Sequence, residues 1–375
     1  MSTAPAKGSA ELGSMSQSQL VRLRFSRHRL AVLSLYILGI LYVMAIFAEF
    51  VAPYNPNAYH LNHTYAPPQP LRFDLAHGPH THALERQINA LDLTVQYQRT
   101  DRVVVPLRFL PPADARLWGV IPIGRTLFGV DREAFRRLNP GATVEPTFFL
   151  LGADKYGRDM FSRIVYGSRI SLSIGLVAIS ISFLLGLTIG GISGFFGGAV
   201  DLAIQRLIEI LQSIPGLPLW IALGAVLPSD WPDLKIYFGI TVVLSLLGWT
   251  GLARTVRSKL LSLREEDYAV AARLLGASHG RIIFRHLLPG FTSHILVSLS
   301  MTVPGMILGE TGLSFLGLGL RPPVVSWGVL LQDCMNLDIL IRAPWLIMPT
   351  GFIVTTVLSF NFVGDGLRDA ADPYR

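Results

Sequence analysis

Residues 30–48 read LAVLSLYILGILYVMAIFA, an apolar run that carries no charge. Coiled as a helix at about 1.5 Å per residue, it reaches across a hydrocarbon core of about 30 Å. Four more strong runs follow at 170–194, 236–253, 295–318 and 345–363. A weaker run at 202–227 holds Arg206 and Glu209 in its first turns and Pro215 and Pro218 in its middle. Proline is tolerated in a spanning helix where neighbours satisfy the freed carbonyl, so this run counts as a span. Only 15% of the 375 residues are charged, against about 25% in ordinary soluble domains. The expected fold is an all-α polytopic membrane protein with six transmembrane helices and a long extracytoplasmic insertion between the first and the second.

Charge sets the direction of these spans. Arg22, Arg24, Arg27 and Arg29 precede the first run and place the N-terminus in the cytoplasm by the positive-inside rule. Arg254, Arg257, Lys259, Arg264, Arg273, Arg281 and Arg285 gather between the fourth and fifth spans, whereas the short loops assigned outside hold Lys235, Arg321 and Arg342. Both termini then lie inside. The first run is too long for a typical signal-peptide core and no small-x-small site closes it, so it reads as an uncleaved anchor. The resulting partition is a cytoplasmic tail (1–29), a first transmembrane helix (30–50), the insertion (51–150) and a connecting segment (151–169). A five-helix core (170–364) with a cytoplasmic loop (254–294) and a C-terminal tail (365–375) complete it. The net charge of +7 belongs with the cytoplasmic loops, and no aromatic-basic platform for nucleic acid is present. Cys334 is the single cysteine, which excludes an intrachain disulfide and a thiolate metal cluster.

The insertion is rich in proline and histidine, and a structureless loop of that length is unusual, so a small folded subdomain is expected. VVVPLRF at 103–109 predicts a strand whose proline places it at a sheet edge. HGPHTH at 77–82 offers His77, His80 and His82. With no carboxylate or cysteine at ligand spacing, a solvated loop is the reading rather than a metal site.

The basic loop contains AVAARLLGASHGRIIFRHLLP at 269–289. Helical spacing puts Tyr268, Ala272 and Leu275 on one face and Val270, Ala271 and Leu274 on an adjoining one. Glu265, Glu266 and Asp267 stand at the end where the helix dipole favours negative charge. Gly276 takes the place of a left-handed C-cap. A second helix at 279–287 carries Ile282, Ile283 and Leu287 before Pro289 bars continuation. Two short helices joined at a glycine and rimmed by arginines are marginal alone. They either lie on the bilayer surface or insert as a peg into a groove of a cytoplasmic partner.

These residues resemble the coupling loop of ABC importer permeases, E-A-A-x3-G-x9-I-x-L-P. Ala271, Ala272, Gly276, Leu288 and Pro289 match at the required spacing, while Val270 stands for the leading Glu and His286 for the Ile. RHLLP looks like the form of the dipeptide/oligopeptide branch. LGADKYGRDMFSRIVYGSRISLSIG at 151–175, ETGLSFLGLGLRPPVVSWG at 310–328 and NFVGDGLRDAADP at 361–373 resemble that branch's other signatures, with Ala153 in place of Thr. The resemblance covers 151 to the end and the first span. It implies a C-type inner-membrane permease subunit of a bacterial inner (plasma) membrane importer for peptides or peptide-like solutes. The implied partners are a second homologous permease, two ATP-binding subunits, an extracytoplasmic solute-binding protein and membrane lipid. The chain would bind no cofactor, ATP and Mg belonging to the partner subunits. The residues implied for coupling to the ATPase are Asp267, Tyr268, Ala271, Ala272, Arg273, Gly276, Arg281, His286 and Pro289.

No G-x-x-x-x-G-K-[ST] loop cradles nucleotide phosphates in this chain, and the spans lack a Ser/His pair, an Asp dyad or H-E-x-x-H, so a transport subunit rather than an enzyme is expected. An ion-gradient-driven secondary transporter is the alternative. It would show paired mid-membrane acids and two related halves, whereas Glu310 stands alone among the strong spans. Glu310 is placed either on the translocation pathway or at a helix–helix contact, because a carboxylate in the bilayer costs several kcal/mol unless paired or wet. Arg206 and Glu209, at i, i+3, predict a local ion pair. Gly186, Gly190, Gly191 and Gly194 predict a close helix-packing stripe, or a sliding face against the partner permease.

Overall fold

The computed structural model describes residues 17–88, 95–142, 144–228, 230–287 and 291–371. Its long helices are Arg29–Ile46, Met160–Phe196, Asp233–Leu263, Thr292–Phe315 and Met348–Ala371, the first preceded by Gln17–Arg27. Among the described residues four helical segments are long and apolar enough to cross a membrane. A bent pair, Gly198–Ser213 with Gly216–Val226, makes a fifth if taken as one span. The chain is therefore a mostly helical polytopic membrane protein.

The run expected as one span at 202–227 is broken by a bend of 87° in that pair. Pro215 has no N–H to donate and forces the residue before it out of helical conformation; Ile214 is extended at φ −92°, ψ 129°. Pro304, by contrast, lies inside Thr292–Phe315 without ending it.

The chain forms two compact units. The first comprises Met1–Gly39, Ile174–Gly309 and Val354–Arg375. In it, Ile208, Trp249 and Ala253 pack with Leu185, Ile189, Ile204 and Leu211, which joins the helix Gly198–Ser213 to Asp233–Leu263. The glycine stripe explains how closely helices approach here. A Cβ at Gly190 would lie 2.5 Å from the Ala253 carbonyl oxygen, and one at Gly194 would lie 2.8 Å from that of Arg257. Close packing of small residues is the expected use of such a stripe, and at these positions the neighbour is a helix of the same chain. Arg206 and Glu209 form the expected local pair, 2.9 Å apart and exposed.

The second unit comprises Ile40–Ser173 and Glu310–Ile353, and it corrects the all-α expectation. Residues 72–130 build a four-stranded antiparallel sheet of order β1-β2-β3-β6, with β1 at Arg72–Asp74, β2 at Gly78–Ile88, β3 at Val95–Phe109 and β6 at Phe128–Val130. A separate hairpin pairs β4 (Arg116–Leu117) with β5 (Ile121–Pro122). The expected strand at 103–109 exists, but β3 is interior rather than at an edge. Pro106 pairs with His80 on β2, while the β6 ladder begins one residue later at Leu107, so no partner on that side needs the missing N–H. The Pro106 carbonyl accepts from the Asp131 N–H instead.

The histidine segment is likewise no solvated loop. His80 is buried on β2 and engages the Gly78 carbonyl through Nδ1 at 3.0 Å, and His77 contacts Asp74 at 3.0 Å. Ala83, Val105 and Phe135, the last on the helix Arg132–Leu138, form one small core of this unit. Ala66, Leu84, Phe149 and Ala153 form another. Period-2 patterning was too interrupted by polar residues to announce a strand at 78–88, because a bulge falls between His82 and Ala83 and shifts the register.

Candidate functional site

The loop after Asp233–Leu263 folds as two short helical pieces in the first unit. Asp267–Leu274 is the first, with Glu266 at its N-cap and Asp267 in its first turn. It stops because Gly276 adopts φ +78°, a conformation glycine takes without steric cost. The orphan carbonyls of the last turn are then collected, since Leu275, Gly276 and Ala277 donate their N–H groups to Ala271, Arg273 and Ala272 at 3.0 Å each. The second piece begins as His279–Arg281 and widens into a π-helical turn over Ile282–Leu287, where a regular helix was expected. His286 lies on that turn, and Pro289 lies outside the described residues.

An eight-residue helix is about 12 Å long and needs an external support. Ala269 and Ala272 provide its attachment: both are buried, in a cluster with Phe195, Leu252, Val256 and Leu260 and with Ile282 and Ile283 of the second piece. Ala272 therefore faces the chain's own core. The opposite face carries Asp267, Tyr268, Val270, Ala271, Arg273 and Leu274, all exposed. Leu274 and Leu275 are 83% and 87% exposed, which forfeits about 1.5–3 kcal/mol of burial for each. The result is an apolar knuckle seated by its alanines, with charge around it. Arg281 and Arg285 are exposed on the second piece. Partial burial, and then the Glu266 carboxylate, hold the Tyr268 phenol above its usual pKa, so it is a neutral hydrogen-bonding group.

Several arginines read as a basic rim are occupied within the chain. Arg257 forms a bidentate ion pair with Asp201, whose carboxylate also accepts from Ser193. Arg264 donates to the carbonyls of Gly194 and Phe195 and to Glu265, and the Arg273 guanidinium lies 5.8 Å from the Phe195 ring centre. Sequence reading missed Asp201 because its partner is 56 residues away, beyond any helical spacing rule.

Glu310, in the second unit, is fully buried. Its Oε1 accepts from Ser314 at 2.9 Å and Ser326 at 2.8 Å, and its Oε2 accepts from Ser171 at 3.2 Å. Ser171 also accepts from the Trp327 N–H, and the Trp327 indole donates to the Ile164 carbonyl. Three serines thus replace the water that a carboxylate would otherwise require. They come from the segments 151–175 and 310–328, singled out separately in the sequence and joined here.

The first of those segments has its own reason for being. Asp154 receives Arg158, with Nη2 at 2.7 Å, and also Arg163, all three buried. Gly157 (φ +71°) leaves no space for a Cβ beside the His60 carbonyl, and at Gly152 (φ +78°) a Cβ would lie 2.6 Å from the Trp345 ring.

Residues 186–374 match the family described as the binding-protein-dependent transport system inner membrane component. Residues 16–68 match the N-terminal TM domain of oligopeptide transport permease C. The chain is 43% identical over 223 residues to the oligopeptide transport system permease protein OppC of Bacillus subtilis (strain 168), covering 59% of this chain and 70% of that one. It is 42% identical over 224 residues to the dipeptide transport system permease protein DppC of the same strain, covering 59% and 68%. Against the glutathione transport system permease protein GsiD of Pectobacterium atrosepticum it is 38% identical over 239 residues, covering 64% and 76%.

Proposed function

The chain belongs to the family of inner membrane components of binding-protein-dependent transport systems, as a permease of the dipeptide/oligopeptide type, and on that premise we propose that the knuckle at 267–285 is where ATP-driven work enters it. The observation that carries this reading is the two-sidedness of Asp267–Leu274: Ala269 and Ala272 fasten it to the chain while Tyr268, Val270, Leu274 and Leu275 are left uncovered. A helix seated on one face and apolar on the other suits a groove in a partner. The partner is an ATP-binding subunit, one of two in the complex, which holds ATP and Mg. Closure of that pair drags the knuckle, and the helices Asp233–Leu263 and Thr292–Phe315 on either side carry the motion into the membrane.

The rest of the assembly follows from the same premise. Thr292–Phe315 and the bent pair Gly198–Val226 complete six spans with both termini in the cytoplasm. A second, homologous permease forms the other half of the pathway. The folded segment at 51–150 faces outward and receives a loaded solute-binding protein, which selects the peptide or peptide-like solute. Glu310 acts as a tie between helical segments, its carboxylate being enclosed by serines rather than open to a solute.

Gly276→Pro tests the coupling. Proline locks φ near −65°, whereas position 276 requires φ +78°, so the end of the knuckle must rearrange. The expected result is a complex that inserts and assembles but hydrolyses ATP without uptake. Normal uptake by an assembled Gly276→Pro complex would contradict the reading.

A further inference from the structure

The hairpin formed by β4 and β5 presents an apolar tip. Trp118 is 56% exposed, Val120 78% and Ile121 58%, a concentration of apolar surface that a short loop in water has no reason to keep. Trp118 also takes φ +55°, an uncommon conformation for a bulky residue, and two contacts hold it there. Its N–H donates to Glu49 Oε1 at 3.1 Å, and its ring lies 3.9 Å from the Arg169 guanidinium.

Those two residues mark a level along the molecule. Arg169 donates through Nε to the Ala45 carbonyl at 3.0 Å and through Nη2 to the Ile46 carbonyl at 3.1 Å, and it pairs with Glu49 at 2.8 Å. Ala45 and Ile46 are the last residues of the apolar helix Arg29–Ile46. A helix of that length spans about 27 Å, so its end lies at the boundary between acyl chains and headgroups. Arg169 caps the orphan carbonyls there, and Trp118 stacks on the cap. The exposed row Ile40, Val43 and Ile46 on the helix, continued by Phe47 just past its end, leads to the same level. Indole rings concentrate at this boundary because one edge is polar and the body apolar.

We propose that the hairpin Arg116–Pro122 is a lipid anchor, with Trp118, Val120 and Ile121 inserted at the headgroup–acyl boundary of the bilayer. It fixes the outward segment against the membrane at the end of the first span. The inference needs that span to cross the bilayer and is independent of the coupling reading.

The test uses the full chain in lipid nanodiscs, in a Cys334→Ala background, with an environment-sensitive fluorophore attached at Val120→Cys, Ile40→Cys or Leu75→Cys. Leu75 is fully exposed between β1 and β2 and reports water. The probe at position 120 is expected to emit to the blue of the one at 75, and to be quenched by phospholipid brominated near the glycerol end of its acyl chains. The probe at 40 is expected to be quenched best by lipid brominated deeper. A water-like probe at 120 with a lipid-quenched probe at 40 overturns the anchor. So does a probe at 120 that is shielded only when the second permease is co-assembled and is never quenched by brominated lipid, since that surface is then a protein interface. An unquenched probe at 40 removes the span itself, and the anchor with it.

Discussion

Asp201 and Arg257 meet as a bidentate ion pair, the Arg257 Nη2 lying 2.5 Å from Asp201 Oδ2, and so tie the helix Gly198–Ser213 to Asp233–Leu263. The pair lies where Gly194 brings the backbone of 174–196 against Arg257, next to the cluster that seats the knuckle. Both side chains are largely shielded, at 14% and 30% exposure, so the pair falls between the weak surface case and the costly buried one.

Arg257→Gln is expected to cost about 2 kcal/mol, because it leaves the Asp201 carboxylate without its guanidinium and held by the Ser193 hydroxyl in a shielded site. Asp201→Asn together with Arg257→Gln is expected to recover part of that loss. Unfolding of the complex in bilayers, read as a double-mutant cycle, measures it. Strictly additive losses would show that the two side chains do not interact.

Glu310 gives a sharper split. Glu310→Ala strands three buried hydroxyls at about 1 kcal/mol or more each, whereas Glu310→Gln keeps the volume, and serine hydroxyls both donate and accept. The expected result is marked destabilisation for Ala, a small loss for Gln, and an unchanged KM for uptake by the Gln protein. A KM raised tenfold or more in Glu310→Gln, with assembly intact, would place the carboxylate on the solute's path instead.

Asp159 supplies a pH signature. Burial pushes its carboxyl from an ordinary 3.8 up to about 7. Its Oδ2 accepts from the Ser162 N–H at 2.7 Å, while its buried Oδ1 has no hydrogen-bond partner. Between about pH 4 and 7 the folded chain therefore keeps a proton that the unfolded chain has lost. Stability falls as pH rises through that window and levels off above it, by about 4 kcal/mol at most. Thermal unfolding at pH 5 and pH 8 checks this. Asp159→Asn is expected to flatten the difference, and an identical pH slope in both proteins would contradict it.

The legible parts of this molecule were those with a local period. Apolar runs announced the long helices, and the i, i+3 spacing announced the Arg206–Glu209 pair. A glycine after a helical stretch announced the turn at Gly276, because each is settled within one or two helical turns. Three features were not legible for the opposite reason. The sheet pairs β2 with β3 through a bulge, so alternation fails at His82. The serine cage assembles Ser171, Ser314 and Ser326 around Glu310 across 139 residues. Asp201 finds Arg257 on a different helix. The inward turn of Ala272 was not legible either: Tyr268 and Leu275, expected on its face, are exposed, and packing against Phe195 and Leu260 buries it beside Ala269 instead.

The most direct test of the account is photocrosslinking between the knuckle and an ATP-binding subunit, from a benzophenone attached through a single introduced cysteine. Cysteines are introduced at Leu274→Cys and, as the buried control, Ala269→Cys, each in a Cys334→Ala background. Position 274 is expected to capture an ATP-hydrolysing subunit in a nucleotide-dependent manner, and position 269 is expected not to. If position 274 captures no such subunit in any nucleotide state of an assembled, transporting complex, the knuckle is not the route by which energy reaches this chain.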